Sequence, residues 1–142
     1  MTIFSLPEFT FLQNQRIGHL ATADSTGQPH VIPVCYASDG TTIYIALDTK
    51  PKRVAPTQLR RIRNILANPQ VSLVVDHYSE NWAKLAYVLV RGTALLLPPP
   101  NEQHTQAIAL LRQRYPQYQA MPIHSQPVIA IIPSAVVSWG HL

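Results

Sequence analysis

A regular series of short apolar segments separated by turn residues limits the possible folds of this chain more than any other feature. We predict strands over residues 17–23, 29–37, 42–47, 71–75, 85–97 and 128–132, and a further short one over 135–139. Gly27 and Gly40 stand in the turns after the first and second strands, at hairpin spacing. Six or seven such strands predict a small antiparallel barrel, because the helical content is too low for a doubly wound α/β fold.

Three helices are expected around this barrel. The first begins near Pro7, the second covers 57–67 and the third covers 102–115. In the second helix, Leu59, Ile62 and Leu66 recur at the 3- and 4-residue spacing of a buried stripe. This stripe leaves the arginines and Asn64 on the other sides of the helix.

The length and the low charge indicate one domain with a partly covered surface. The 142 residues predict a single domain, 1–142, of mainly β structure with flanking helices. Only 13% of the residues are charged, about half the usual share, so a second copy of the chain is expected to cover part of the surface. No apolar run reaches the roughly 18 residues of a membrane span, and the N-terminus lacks the features of a signal peptide. We therefore expect a cytoplasmic protein without a membrane partner.

The candidate metal ligands are scattered along the chain. Cys35 is the one cysteine, which excludes an internal disulfide and a cysteine zinc cluster. The six histidines show no two-histidine spacing typical of a metal site, so no metal site is predicted. His104 is expected at the surface of the third helix.

The positive charge of the chain is concentrated in one place. Six of the eleven Lys and Arg residues fall between positions 50 and 63: Lys50, Lys52, Arg53, Arg60, Arg61 and Arg63. Arginine forks and lysine ammonium groups at the start of a helix are the donors that a phosphate group requires, so we predict an anion site. A solvated basic face and a nucleic-acid site are the competing interpretations. Nucleic acid is not the expected partner, because the cluster is short and no aromatic residues are interleaved with it.

The sequence shows no set of catalytic side chains. The seven acidic residues are scattered, and no nucleophile motif or nucleotide-binding glycine loop is present. An anion site without catalytic groups is typical of a protein whose bound cofactor supplies the chemistry, as in hydride transfer by a flavin. Aromatic residues that could form flat walls for such a ring are Tyr78, Trp82, Tyr87 and Trp139. Ordinary core or dimer packing is the alternative role for each of them.

Several strings in the sequence, in this order and spacing, resemble the pyridoxamine 5′-phosphate oxidase-like flavin-binding split barrels. They also resemble, within that family, the branch of small F420-dependent (deazaflavin) oxidoreductases. The strings are GHLATA at 18–23, PHVIPV at 29–34, IYIALD at 43–48, KPKR at 50–53, LRRIRNILANPQVSL at 59–73, DHY at 76–78 and RGTA at 91–94.

The resemblance implies a split β-barrel that forms a homodimer, with two cofactor sites along the subunit interface. By that match the cofactor ring would contact Val31, Ile32, Pro33, Val34, Ile45 and Ala46. The phosphate would be held by Lys50, Lys52 and Arg53, and Tyr78, Trp82 and Trp139 would form pocket walls. The implied cofactor is F420 or FMN, and no residue is assigned a catalytic role.

The chain also departs from the oxidase pattern. His30 stands where the oxidase has an arginine, Ile45 and Ala46 replace a Tyr-Thr pair, and the C-terminal Arg and His that grip pyridoxine phosphate have no match. Oxidation of pyridoxamine phosphate is therefore not expected, and the deazaflavin is favoured modestly. The resemblance implies an oxidoreductase that transfers a hydride between the cofactor and a small organic substrate. The alternative is a non-catalytic flavin- or haem-binding protein on the same barrel.

Overall fold

The computed structural model describes residues 2–47 and 59–142, and this part of the chain is mainly β with three α-helices. The strands are β1 Gly18–Ala23, β2 Pro29–Val34, β3 Ala37–Ser38, β4 Ile43–Ala46, β5 Gln70–His77, β6 Ala86–Leu97 and β7 Val128–Gly140. The helices are α1 Leu6–Asn14, α2 Arg60–Ala67 and α3 Glu102–Arg114, with short 3-10 turns at Trp82–Lys84, Pro116–Gln119 and Ile123–Ser125.

The strands form one curled antiparallel sheet in the order β2-β1-β5-β6-β7-β4-β3. Its two edge strands, β2 and β3, are consecutive in the chain and are separated by Cys35 and Tyr36 alone. Three Cα steps from Val34 to Ala37 span at most about 11 Å, so the sheet must curl until its edges nearly meet. The predicted barrel is therefore confirmed as a split barrel, in which the chain passes between two edges that do not pair with each other.

The connection between β2 and β3, which closes the barrel, is held by buried tyrosines. The hydroxyl of Tyr36 donates a hydrogen bond to the carbonyl oxygen of Leu12 at 2.7 Å, and burial raises the pKa of Tyr36, which keeps this donor protonated. The backbone N–H of Tyr36 donates to the hydroxyl of Tyr115 at 3.0 Å. Arg114 donates to the carbonyl oxygens of Leu12, Gln13 and Gln15 near the C-terminus of α1. Helices α1 and α3 are thus tied to the point where the barrel closes.

Helices α1 and α2 close the two ends of the barrel. Both contribute to the interior core, α1 through Phe11 and Leu12 and α2 through Ile62 and Ile65. On α1, Glu8 accepts a hydrogen bond from Ser138, near the end of β7, at 2.7 Å. At the opposite end, α2 lies over the last residues of β1, and one face of this helix is exposed.

Helix α3 covers the outer face of the sheet over β3, β4 and the first half of β7. Residues of β4 therefore alternate between two cores, with Ile45 inside the barrel and Ala46 beneath α3. On the other strands, the outer face is not covered by any element of the part of the chain that the structure describes. The residues of that face include Val31 on β2, Leu89 on β6 and Val137 on β7.

Four details differ from the sequence-based prediction. The segments predicted at 128–132 and 135–139 are one strand, β7, interrupted by a register shift opposite Arg91 and Gly92. The strand predicted at 29–37 ends at Val34, and its last residue begins β3. The buried stripe of α2 is formed by Ile62 and Ile65, whereas Leu66 is 65% exposed. The predicted start of that helix at Thr57 lies outside the described residues, and α2 begins at Arg60 where the structure describes it.

His104 is buried and not at the surface. It is 2% exposed, and its Nε2 lies 2.7 Å from the carbonyl oxygen of Gln126. The helical pattern of α3 did not reveal this, because the 3-10 segment that covers His104 is distant in sequence.

Gly92 lies at the register shift between β6 and β7, where the two strands approach too closely for a side chain. A Cβ at this position would overlap the carbonyl oxygen of Ile132, so alanine forces the strands apart. We expect Gly92→Ala to lower the free energy of unfolding by about 1–3 kcal/mol, the usual cost of overpacking. Urea denaturation measures this change, and Gln106→Ala at an exposed position of α3 is the control. A loss no larger than that of the control would contradict the close approach.

Candidate functional site

A small cavity opens at the end of the barrel where β2 begins and α2 begins. It has a volume of about 250 Å³ and is lined by Gln28, Pro29, His30, Arg60 and Asn64. The β1–β2 turn supplies one wall and the first turns of α2 supply the other. We call this space the barrel-end cavity.

The inner wall of the barrel-end cavity is a buried hydrogen bond. Asn64 is 3% exposed, and its Nδ2 donates to the hydroxyl oxygen of Thr22 at 3.0 Å. Thr22 is directly opposite His30 in the β1–β2 pair, so the three side chains meet at the inner side of the sheet. The sequence analysis placed Asn64 on an outer side of α2, and this was wrong because the helix is rotated so that Ile62, Asn64 and Ile65 face inward.

His30 lines the cavity and carries an unsatisfied polar atom. Its Nδ1 is buried and has no hydrogen-bond partner within residues 2–47 and 59–142. A buried polar group without a partner is costly, so most such groups in native proteins find one. Nδ1 is closed off from the cavity, so its unmet hydrogen-bonding capacity is a cost to the fold and is not a contact presented to a ligand in this space.

Asp24, the acidic residue of the β1–β2 turn, is engaged in hydrogen bonds within that turn. The Asp24 carboxylate accepts hydrogen bonds from the Thr26 side chain at 2.7 Å and from the backbone N–H groups of Thr26 and Gln28. The hydrogen bond from the Thr26 side chain is the largest of the effects that lower the pKa of Asp24. Among the described residues that line the barrel-end cavity there is no carboxylate, and Arg60 is the charged one.

A wider and shallower depression lies on the uncovered outer face of the sheet. It has a volume of about 480 Å³, and Arg91 is one of its lining residues. Small side chains flank Arg91 in register across the strands, with Ser72 on β5 and Ala135 on β7. The depression is part of a larger exposed face that includes the stacked rings of Tyr87 and Trp139, whose centroids are 6.1 Å apart.

The structure places the predicted ring-contacting residues in three environments. Val31, which is 60% exposed, and Pro33 lie on the outer face, whereas Ile32 and Val34 face the barrel interior. Ile45 is buried in the same interior core, and Ala46 is buried in the outer core beneath α3. The set is therefore not one continuous surface of side chains within a single protomer.

The predicted aromatic walls lie far from β2. Tyr78 and Trp82 are exposed at the β5–β6 connection, and Trp139 is 53% exposed near the end of β7. Four strand spacings of about 4.8 Å separate β2 from β7, or about 19 Å along the curved sheet. Within one protomer, Trp139 and Val31 are therefore too far apart along the sheet to contact the same ring.

The predicted phosphate ligands Lys50, Lys52 and Arg53 lie outside the described residues. Of the cations that follow them, Arg60 lines the barrel-end cavity and Arg63 does not. His30 appeared in the sequence only as a departure from a family pattern. Its role at this cavity depends on the placement of α2, which the sequence pattern did not specify.

Comparison with known proteins identifies the family. The family profile described as pyridoxamine 5′-phosphate oxidase matches residues 9–140, nearly the whole chain. The chain belongs to the pyridoxamine 5′-phosphate oxidase family. The curled seven-stranded sheet agrees with the split barrel of this class, so the family resemblance noted in the sequence is confirmed.

Three members of the wider set of similar proteins are informative. The chain is 28% identical over 138 residues to a 5a,11a-dehydrotetracycline/5a,11a-dehydrooxytetracycline reductase of Streptomyces rimosus. The matched region covers 96% of this chain and 83% of the reductase. A solved structure of an F420 reductase is 26% identical, with a TM-score of 0.67, and covers 90% of this chain and 94% of that one. The haem storage protein HutZ of Vibrio cholerae, 18% identical, has a TM-score of 0.75 over 99% of this chain and 95% of its own.

Two further features of this family member concern membranes and metals. Over residues 2–47 and 59–142, no helix is long and apolar enough to cross a bilayer. Within the same ranges, no three His, Cys, Asp or Glu side chains come together as a metal-binding group.

The Asn64–Thr22 hydrogen bond is expected to determine the stability of the cavity wall. Thr22→Val removes the acceptor and leaves a buried amide unsatisfied, so the free energy of unfolding should fall by about 1–3 kcal/mol. Adding Asn64→Leu replaces the second partner with an apolar group and should recover part of that loss. Urea denaturation of the two single variants and the double variant measures the coupling. Losses that add within about 0.5 kcal/mol would show that the two side chains do not interact.

Proposed function

We propose that this protein binds a flavin-type cofactor, F420 or FMN, and transfers a hydride between it and a small organic substrate. Membership of the oxidase family carries this proposal, together with the similarity to a reductase over 96% of the chain. The similarity to an F420 reductase favours the deazaflavin. An oxidoreductase role is the part of the proposal that these relatives support directly.

The residues of this chain suit a cofactor with an anionic tail. The barrel-end cavity offers the positive charge of Arg60, and the described residues that line it include no carboxylate. The segment that carries Lys50, Lys52 and Arg53 precedes α2 in the chain. When bound, the cofactor supplies the hydride donor or acceptor, and the protein's part is to bind it, orient it and exclude water.

We propose that the functional unit is a homodimer formed through the uncovered outer face. That face exposes Val31, Val137 and Trp139, and apolar surface of this kind is typical of an interface between subunits. A second copy could bring Tyr78, Trp82 and Trp139 of one protomer to β2 of the other. The expected partners are therefore a second copy and a small-molecule substrate, without nucleic acid or membrane.

A non-catalytic binding protein is the second candidate. The split barrel of this chain is also the fold of the haem storage protein HutZ. The absorption spectrum of freshly purified protein separates a flavin, a deazaflavin and haem. Steady turnover of an electron acceptor by the loaded protein would support the oxidoreductase, and binding without turnover would support the carrier.

Lys52 and Arg53 are expected to provide most of the cofactor affinity that depends on charge. Each charge-assisted contact is worth about 1.5–3 kcal/mol, so Lys52→Ala with Arg53→Ala should weaken binding of FMN or F420 at least about 100-fold. Fluorescence titration measures the dissociation constants. Lys84→Ala, which removes a positive charge at an exposed position, is the control. Parent affinity in the double variant would refute the phosphate assignment.

The dimer is expected to dissociate when a charge is placed on the outer face. Val137 is 43% exposed, so Val137→Arg should leave the protomer folded but bury an unpaired charge in the interface. Light scattering should show the mass fall from twice 15.9 kDa to 15.9 kDa. Gln106→Arg adds the same charge on α3 and should leave the mass unchanged. A parent protein that is already monomeric, or a variant that remains dimeric, would contradict this interface.

A further inference from the structure

We infer that two copies of this chain pack face to face about a two-fold axis that crosses β6 at Leu89, so that Tyr87 and Trp139 of each copy fill the depression around Arg91 of the other. The inference rests on the proposed homodimer, which assigns the interface to the uncovered outer face. The position of the axis and the residues that recognise each other across it are what that proposal leaves open.

Three parallel rows of side chains cross β5, β6 and β7 on the outer face. The strand register places in the central row Val74, Leu89 and Val137. Two residues away along each strand lies the Arg91 row, formed by Ser72, Arg91 and Ala135. Two residues away in the other direction lies the aromatic row, formed by Asp76, Tyr87 and Trp139. The alternation of buried and accessible positions along the three strands directs all of these side chains away from the barrel interior.

The two outer rows have complementary shapes. The Arg91 row lines the depression of about 480 Å³, where the side chains beside Arg91 are small. In the aromatic row, the rings of Tyr87 and Trp139 stack with their centroids 6.1 Å apart, and Trp139 is 53% exposed. A two-fold rotation about an axis that lies in the interface along the central row exchanges the two outer rows. The rings of each copy therefore meet the depression of the other.

The two outer rows also have complementary charges. Asp76 and Arg91 are the charged residues of the three rows, and four residue steps along β5, about 13 Å, separate the level of one from the level of the other. Within residues 2–47 and 59–142, neither the Arg91 guanidinium nor the Asp76 carboxylate has a hydrogen-bond or ion-pair partner. Exchange of the rows brings Arg91 towards Asp76 of the partner subunit and towards the faces of two aromatic rings, both of which attract a guanidinium.

The central row is suited to contact with its own copy. Residues on a two-fold axis meet the same residues of the other subunit, which apolar side chains tolerate and charged side chains do not. Leu89 is partly exposed and Val137 is 43% exposed. The depression extends from Ala135 on β7 to Pro29 on β2, so a ring that enters it also approaches β2 of the other copy.

Charge reversal tests the reciprocal contact. Arg91→Glu leaves two acids in these rows and Asp76→Arg leaves two bases, so each variant should repel its own copy. In an equimolar mixture, each variant supplies the charge that the other lacks, and both contacts are restored. Gln106→Glu and Gln106→Arg change the charge at an exposed position of α3 and are the matched controls. Analytical ultracentrifugation measures the dimer dissociation constant in each case.

We expect each reversal to raise the dimer dissociation constant at least about 30-fold, and the mixture to return to within about fivefold of the parent. Both side chains are exposed in the protomer, so circular dichroism should show that the variants are folded. Reversal variants that dimerise as the parent does would overturn the inference. It would also be overturned by a mixture that stays monomeric when each variant alone is monomeric, because the two residues would then not face each other across the axis.

Tryptophan fluorescence tests the contact of the rings independently of charge. The chain has two tryptophans, so Trp82→Phe leaves Trp139 as the single reporter. When this variant is diluted through its dimer dissociation constant, the Trp139 emission should move to longer wavelength and quenching by acrylamide should increase. Emission and quenching that do not change with concentration would refute the insertion of Trp139. This measurement decides the matter if a reversal variant fails to fold.

The outcomes also separate this inference from the proposed homodimer. If Val137→Arg dissociates the dimer while neither charge reversal does, the interface stands and the inferred axis and contacts fail. A monomeric parent would overturn both. A dimer that each reversal abolishes and the mixture restores would support both.

Discussion

The two-residue connection between β2 and β3 is the constraint on which the rest of this structure depends. It joins the two edges of the sheet, so seven strands must curl into a barrel whose edges approach without pairing. Tyr36 in this connection is buried and bonded to Leu12 and Tyr115. Because the same tyrosines tie α1 and α3 to the closing point, the interior core and the outer core beneath α3 are fixed together.

This closure divides the outside of the barrel into two halves with different roles. Helix α3 covers one half, so residues of β4 are buried on both sides. The other half exposes Val31, Val137 and Trp139 to a prospective partner. At one end of the barrel, α2 forms a wall of the cavity that contains His30. The surface proposed for a second subunit and the cavity proposed for an anion thus adjoin at β2, which contributes Val31 to the first and His30 to the second.

The family and the arrangement of polar groups indicate the same chemistry. The oxidase-family profile and the reductase relative support an oxidoreductase. The structure brings His30 of β2 and Arg60 of α2 to one cavity, where the positive charge of Arg60 agrees with the anionic cofactor of the proposed function.

The sequence by itself determined most of the elements and the family. Hairpin turns at Gly27 and Gly40 and the order of the family strings were sufficient, because they are local in the chain. Tertiary structure alone decided that Asn64 and His104 are buried and that Leu66 is exposed. It also decided that Arg60, and not Arg63, lines the cavity with His30. These facts depend on how each helix is rotated against distant strands, and residue spacing along one helix does not specify that rotation.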